Sequence, residues 1–165
     1  MARTTFTKVS LPNGWLSNMS PHPVAAFGRT WKTAEALFQA CRFSDDSIRE
    51  HIRLQSSPMG AKLAAKSRKN LMTVEPMSDV DLINMRFVLV QKVLQHSFIA
   101  QSLIETGDSI ITEDCTRRKS SKSALFWGMA QIDNVWVGQN HLGLLWMEVR
   151  DELPVILEQK RCVQV

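Results

Sequence analysis

The stretch Thr33-Ala-Glu-Ala-Leu-Phe-Gln-Ala-Cys-Arg-Phe43 decides how this chain is read. Its apolar residues fall at Ala34, Leu37, Phe38 and Cys41, the i, i+3, i+4, i+7 stripe of a helix lying on a core. Thr33 is placed to cap that helix. At roughly 100° per residue, Glu35, Gln39 and Arg42 share a second face within about 60° of arc. One helix thereby offers an acceptor, an amide and a fixed cation to one small volume, which is what a sugar or phosphate ligand needs. A solvated polar face is the alternative reading of the same trio.

Outward from this helix, residues 6–31 are punctuated by Pro12, Gly14, Pro21, Pro23 and Gly28 and read as loops around short strands such as Val24–Phe27. Downstream, Asp46–Leu54 reads as a short helix burying Ile48 and Ile52. Ser57-Pro58 opens another, with Ser57 as cap and Pro58 in the first turn, running to about Leu71. Ser78-Asp-Val-Asp81 has the capping-box pattern, and the helix it starts carries Leu82, Met85, Leu89 and Val93 on one face. Phe98–Thr106 is a further helix stopped by Gly107. Ser109–Glu113 and Asn134–Val137 are β-branched and read as strands joined across a polar loop. Asn140 caps a last helix that turns Leu142, Leu145, Trp146 and Val149 inward. The pattern predicts an α+β fold, a mostly helical single domain over residues 1–165 with a small β-sheet.

A chain of 165 residues is long enough to bury a proper core. Its 44% hydrophobic and 22% charged content is that of a globular domain. No apolar run approaches the ~18 residues of a membrane span, so no membrane partner is expected. The start Met-Ala-Arg-Thr-Thr-Phe has no apolar signal region, which points to the cytoplasm. Cys41, Cys115 and Cys162 are odd in number and far apart, and His22, His51, His96 and His141 show no ligand spacing. Neither a metal nor another cofactor is expected. Net charge is +4, from 20 basic and 16 acidic residues, which favours an anionic partner. Four of those cations, Arg117, Arg118, Lys119 and Lys122, occur within six residues, and no acid follows until Asp133.

The chain lacks GxxxxGK[ST], GxSxG and HExxH, which excludes the common sequence-local chemistries. What remains is a set of polar residues at element ends. Ser17-Asn18 sits in a loop after Trp15-Leu16. Lys62 lies in the first turns of the helix begun at Ser57, with Lys66 and Lys69 on its face. Like charges and the positive end of the helix dipole together favour its neutral, nucleophilic amine; a solvated basic stripe is the alternative. Phe126-Trp127-Gly128 offers a large aromatic beside a flexible residue, suited to stacking a base or to filling a core. Gly138-Gln-Asn-His-Leu-Gly143 is a turn into a helix start that can present N–H groups to an anion, or simply a left-handed turn.

Taken in order, these segments resemble the NADAR family of YbiA-like N-glycosidases. Trp15-Leu-Ser-Asn18 resembles the family's "LSNF" element, and Thr33-Ala-Glu35 with Phe38-Gln-Ala40 and Arg42-Phe43 resembles "T-x-E-h-x-x-Q-A-x-K-F". Ser57-Pro58 with Ala61-Lys62 resembles "SP…AK". Met85 and Lys92 follow, then Thr106-Gly-Asp108 with Glu113. Trp127-Gly128, Gly138-Gln-Asn140, Leu142-Gly143 and Met147-Glu-Val-Arg150 complete a match over about residues 15–153.

The resemblance implies hydrolysis of an N-glycosidic bond between ribose and an exocyclic amine. Two substrate types go with it: ADP-ribose on guanine in DNA or RNA, and phosphorylated ribosylamino-pyrimidine intermediates of riboflavin synthesis. The residues suit that bond: a neutral Lys62 could exchange with the ring-opened imine as nucleophile through a Schiff base, with Glu35 as the proton carrier. Ser17, Asn18, Gln39, Arg42 and Asn140 would position hydroxyls or phosphate, and Trp127-Gly128 would stack the base. Direct attack by water activated by Glu35, with Lys62 only binding phosphate, is the second route.

The chain also departs from the family, which commonly carries an Asp three residues before the Trp where this sequence has Ala124. A basic loop, residues 114–126, is enlarged, and its Arg117, Arg118, Lys119 and Lys122 are expected to contact nucleic-acid phosphates. Ala124 keeps open a binding module for ADP-ribose or a nucleotide that has no turnover.

Overall fold

The computed structural model describes residues 2–163, with side chains through residue 160. In chain order the elements are β1 (Arg3–Phe6), β2 (Val24–Ala26), β3 (Arg29–Trp31), α1 (Ala34–Ala40), α2 (Asp46–Arg53), α3 (Pro58–Lys66), α4 (Asp79–Gln95), α5 (Ser97–Glu105), β4 (Ile110–Glu113), α6 (Lys122–Trp127), β5 (Ala130–Ile132), β6 (Val135–Val137) and α7 (His141–Val163). The fold is mixed α and β and mostly helical, as the sequence predicts. Its strands, however, are distributed over three two-stranded pairings. The chain clusters into two compact units, residues 18–95 and the segments on either side of them.

In the unit of residues 18–95, α1 packs against α2, α3 and α4. Thr33 caps α1 as expected, its hydroxyl accepting from the Ala36 N–H at 3.2 Å. All seven residues of α1 are buried, including Glu35 and Gln39. The polar face is therefore not solvated. α2 buries Ile48 and Ile52 beneath an Asp45 cap, and α3 begins at Pro58 under Ser57. α3 stops at Lys66, with Lys69–Leu71 forming a separate tight turn, so Lys69 does not share a helical face with Lys62. β2 and β3 form a two-residue hairpin through Phe27 and Gly28, both at positive φ.

α4 starts under Ser78, whose hydroxyl accepts from the Asp81 N–H. Its inner face carries Met85, Leu89 and Val93 as expected; Leu82 is only half-buried. Two charged residues, Asp81 and Lys92, are fully buried on that face instead. Lys92 Nζ donates to Ser20 Oγ at 2.8 Å, and burial pushes its amine down to about 7.

In the other unit, β4 pairs in parallel with β1, Arg3 opposite Ile110 through Phe6 opposite Glu113. β5 and β6 form an antiparallel hairpin. The predicted strands 109–113 and 134–137 are thus real, but they pair with β1 and β5 and not across one loop. The basic segment 114–126 is not a plain loop either. It holds a tight turn at Thr116–Arg118 and then α6, capped by Ser121. α5 ends at Glu105, and Gly107 follows at φ +53°, where a left-handed stop is needed.

α7 buries Leu142, Leu145, Trp146 and Val149 as predicted, and its Trp146 indole donates to the Leu16 carbonyl at 3.0 Å. It runs on through Pro154, which forgoes one hydrogen bond without ending the helix. Asn140 precedes α7 in the left-handed region. Its side chain does not cap the helix; it turns to β4 and donates to the Ile111 carbonyl at 2.8 Å. Gly143 sits against that contact. A Cβ there would meet the Ile111 carbonyl oxygen at 2.1 Å and the Asn140 amide at 2.5 and 2.6 Å.

Gly143→Ala should therefore destabilise by about 1–3 kcal/mol through overpacking, read as a lower unfolding midpoint in urea. Gly28→Ala, with open space around it, should cost less and only through its φ of +70°.

Lys92 predicts a pH dependence. Unfolded, it holds its proton to the ordinary 10.5; folded, it releases it near 7, so the native state binds fewer protons between those limits. Stability should rise with pH across that window and be lost as pH falls to about 7. Urea midpoints of Lys92→Met should lack the rise that the unmodified protein shows; equal slopes would remove Lys92 as its cause.

Candidate functional site

Within residues 18–95 the trio on α1 is joined end to end. Gln39 Nε2 donates to Glu35 Oε1 at 2.8 Å, and Arg42 Nη1 donates to Gln39 Oε1 at 3.1 Å. The rest of the guanidinium forks onto Asp81, Nε to Oδ1 at 2.8 Å and Nη2 to Oδ2 at 2.7 Å. Asp81 Oδ2 also accepts from the Met77 N–H at 2.8 Å. The row lies along α1 and the turn after it because positions i, i+4 and i+7 superimpose on one side. Arg42 is buried, stacked 4.5 Å above the Phe38 ring, and occupied by protein partners. It serves here as an internal strut.

Glu35 is mostly buried, yet its two oxygens differ. Oε1 is held by Gln39, while Oε2 has no partner among the described residues and is not among the sealed polar atoms. A carboxylate with one oxygen fixed and the other open to solvent is suited to passing a proton. Its backbone N–H, at the start of α1, donates to the Asn18 carbonyl at 2.9 Å. Asn18 itself is 5% exposed. Its amide nitrogen reaches Met85 Sδ at 3.0 Å, and its Oδ1 is sealed without a hydrogen-bond partner. Leaving such an acceptor unmet costs about 1–3 kcal/mol, and a donor brought to it would recover that.

Lys62 is half-buried at the flank of the α3 face that buries Ala61, Ala64 and Ala65. Its amine has neither hydrogen bond nor ion pair among the described residues. α3 and α1 are packed neighbours, so the unpaired lysine and the half-open carboxylate belong to adjoining helices. Lys66 is exposed.

In the other unit, Trp127 is half-buried at the end of α6, edge-on to Phe126 at 5.0 Å. Phe126 lies 4.2 Å from the His141 ring. Gly128 is buried where a Cβ would meet the Glu113 carbonyl oxygen at 2.4 Å. The Asn140 N–H donates to the Gly128 carbonyl at 3.2 Å, and Asn140 Oδ1 is the second sealed acceptor without a partner. The segment read as an anion-presenting turn thus ties Gly128, β4 and α7 together. Ser17 is half-buried, its N–H bonded to the Gly14 carbonyl.

Arg117, Lys119 and Lys122 are exposed. Arg118 is exposed too, but pairs with Glu113 at 3.0 Å. Ala124 lies in an apolar cluster with Cys115 and Ala130, where a carboxylate would be stranded. Asp114 does not replace it, since its Oδ1 accepts from the Thr116 N–H and hydroxyl at 2.9 and 2.6 Å.

No group of three potential metal ligands occurs among the described residues. The Cys41 thiol is pushed up to about 11 by burial, which makes it a poor nucleophile. The Cys162 side chain lies outside the described residues. Among the described residues no helix is long and apolar enough to cross a membrane. Sequence reasoning assigned no site role to Asp81 or Lys92. Their signal was present all the same: both fall on the apolar stripe of α4, in phase with Met85 and Val88.

Comparison with known proteins places these features in a family. The model of the NADAR domain matches residues 5–154. An N-glycosidase from Nostoc punctiforme is 34% identical, covering 92% of this chain and 93% of its own. N-glycosidase YbiA of Escherichia coli is 31% identical, over 91% and 88% of the two chains. A riboflavin biosynthesis protein of Vibrio vulnificus is 31% identical over 86% of this chain but only 36% of its own. The solution structure of Escherichia coli YbiA superposes with a TM-score of 0.74 at 30% identity, covering 94% of this chain and 88% of the other. With the family model spanning nearly all of the chain and the fold shared with YbiA, the protein belongs to the NADAR domain family.

Proposed function

We propose that this protein is an N-glycosidase that hydrolyses the bond between ribose and an exocyclic amine, with ADP-ribosyl-guanine in nucleic acid as the preferred substrate over phosphorylated ribosylamino-pyrimidines. The observation that carries the reading is the carboxylate of Glu35, locked at one oxygen and open at the other, on a helix packed against the one bearing the unpaired Lys62. The relatives named N-glycosidase support the bond class.

A ribose on an exocyclic amine opens to an imine. The Lys62 amine, after giving up its proton, adds to the imine carbon C1, and the base amine departs with a proton delivered from Glu35 Oε2, leaving a lysine Schiff base. Water then adds to C1 and surrenders a proton to Glu35. Breaking the C–N bond returns Lys62 and releases the sugar as an aldehyde that recloses. Asn18 holds the start of α1, its carbonyl accepting from the Glu35 N–H at 2.9 Å.

A second reading, a nucleotide-binding module without turnover, draws on Ala124, whose apolar surroundings replace the family's carboxylate. One experiment separates the two. Incubated with an ADP-ribosyl-guanine oligonucleotide and with the phosphorylated ribosylamino-pyrimidine, the protein should release ADP-ribose or ribose 5-phosphate. Glu35→Gln and Lys62→Ala should each reduce that release by about 10²-fold or more. Borohydride added during turnover should leave a ribosyl adduct on Lys62; turnover without any adduct selects direct attack by water. Binding of both compounds with no release selects the module.

The exposed cations of the 114–126 segment bear on substrate choice. Neutralising Arg117, Lys119 and Lys122 together should raise KM for the oligonucleotide and flatten its salt dependence. The log–log slope should fall by up to about 0.7–0.9 for each phosphate that no longer meets a cation. Turnover of the pyrimidine should be unchanged. An unaltered salt slope would remove this segment from substrate binding.

A further inference from the structure

We propose that Asp81 is a positioning residue for Glu35, holding the Arg42 guanidinium away from it so that the carboxylate receives only the neutral amide of Gln39. The proposal rests on the reading of Glu35 as the proton carrier. Arg42 has a rigid fork of N–H donors, and a carboxylate is its best partner. Asp81 takes that fork with both oxygens, at 2.8 and 2.7 Å, and is itself anchored by the Met77 N–H. Only Nη1 is left to point along α1, and it meets Gln39 Oε1. Because Arg42 only donates, it dictates the sense of the Gln39 amide: oxygen toward Arg42, NH2 toward Glu35 Oε1.

Without Asp81, the nearest uncompensated acceptor along the row is the Glu35 carboxylate. A carboxylate bound directly to a guanidinium is held ionised and is a poor proton donor. Asp81 thus fixes both the direction of Glu35 and the charge it feels. Other charges do not take over this task. Lys62 flanks α3, Lys92 points inward from α4, and Arg29, Arg53, Asp46 and Glu50 on β3 and α2 satisfy one another.

The test is a charge-removal pair. Asp81→Asn should cut kcat by about 10- to 100-fold with KM little changed, and should move the kcat limb that reports Glu35 to lower pH. Removing the stray cation as well, in the double variant Asp81→Asn with Arg42→Met, should return that limb to its original position. Taking out both buried charges also leaves none unpaired, so the double variant guards against a fold lost in the single one. A merely structural Asp81 predicts the opposite, a double variant worse than the single and no movement of the limb. The 13C resonance of the Glu35 carboxyl, titrated by NMR in each protein, reads the same quantity without any substrate. A midpoint that falls in Asp81→Asn and recovers in the double variant supports the proposal even if neither nucleotide is cleaved, which would count only against the reading of the reaction. An unchanged Glu35 midpoint in folded Asp81→Asn overturns it.

Discussion

The polar face of α1 is inside the protein, and much else follows from that one constraint. A helix whose seven residues are all buried, with a buried arginine in the turn after it, needs partners for the groups on that face. The solution is a row in which each group answers the next, closed by Asp81 from α4. Removing one member of such a buried pair costs about 3–5 kcal/mol, because the other is left charged in an apolar setting. The row therefore ties α1 to α4 and gives Glu35 its fixed oxygen at the same time. Stability and site geometry share the same atoms.

The segments around it obey the same accounting. The loop of residues 18–20 lies between the start of α1 and the inner face of α4. The Asn18 carbonyl meets the Glu35 N–H, its amide meets Met85, and Ser20 meets Lys92 two turns further along α4. What this clamp leaves over is one sealed oxygen on Asn18. The other unit repeats the pattern with different parts. Gly128 and Gly143 allow backbone to approach within distances that any side chain would block, and Asn140 fills the space between β4 and α7 with one oxygen unmet. Each unit thus packs tightly around an asparagine whose sealed amide oxygen has no partner among the described residues.

Much of this was legible in the sequence. The caps at Thr33, Ser57 and Ser78, the stop at Gly107 and the inward residues of α7 follow local rules, because a cap or an apolar stripe acts within one or two turns. The i, i+4, i+7 trio on α1 was likewise visible, but its burial was not. Whether a polar face meets water or another helix depends on the partner, and Asp81 is 39 residues away from Arg42. Strand pairing failed for the same reason: β4 is complete only with β1, more than a hundred residues earlier, and four-residue β1 has too little pattern to announce itself. The segment 114–126 looked like loop because its charges hide the short α6.

Two lysines, on the two helices α3 and α4 that both pack against α1, show what burial can and cannot do for an amine. Lys92 is sealed, and desolvation alone draws its amine down to about 7, the range in which a lysine becomes a nucleophile. That same sealing denies it a sugar carbon. Lys62 stands at the edge of its helix with no partner among the described residues and a path to solvent. A covalent role requires the reacting atom to be reached as well as activated, so access decides between them. Lys92 then belongs with Asp81 among the charged groups that hold the loop and the helix face in place, and of the two lysines only Lys62 fits the proposed covalent role.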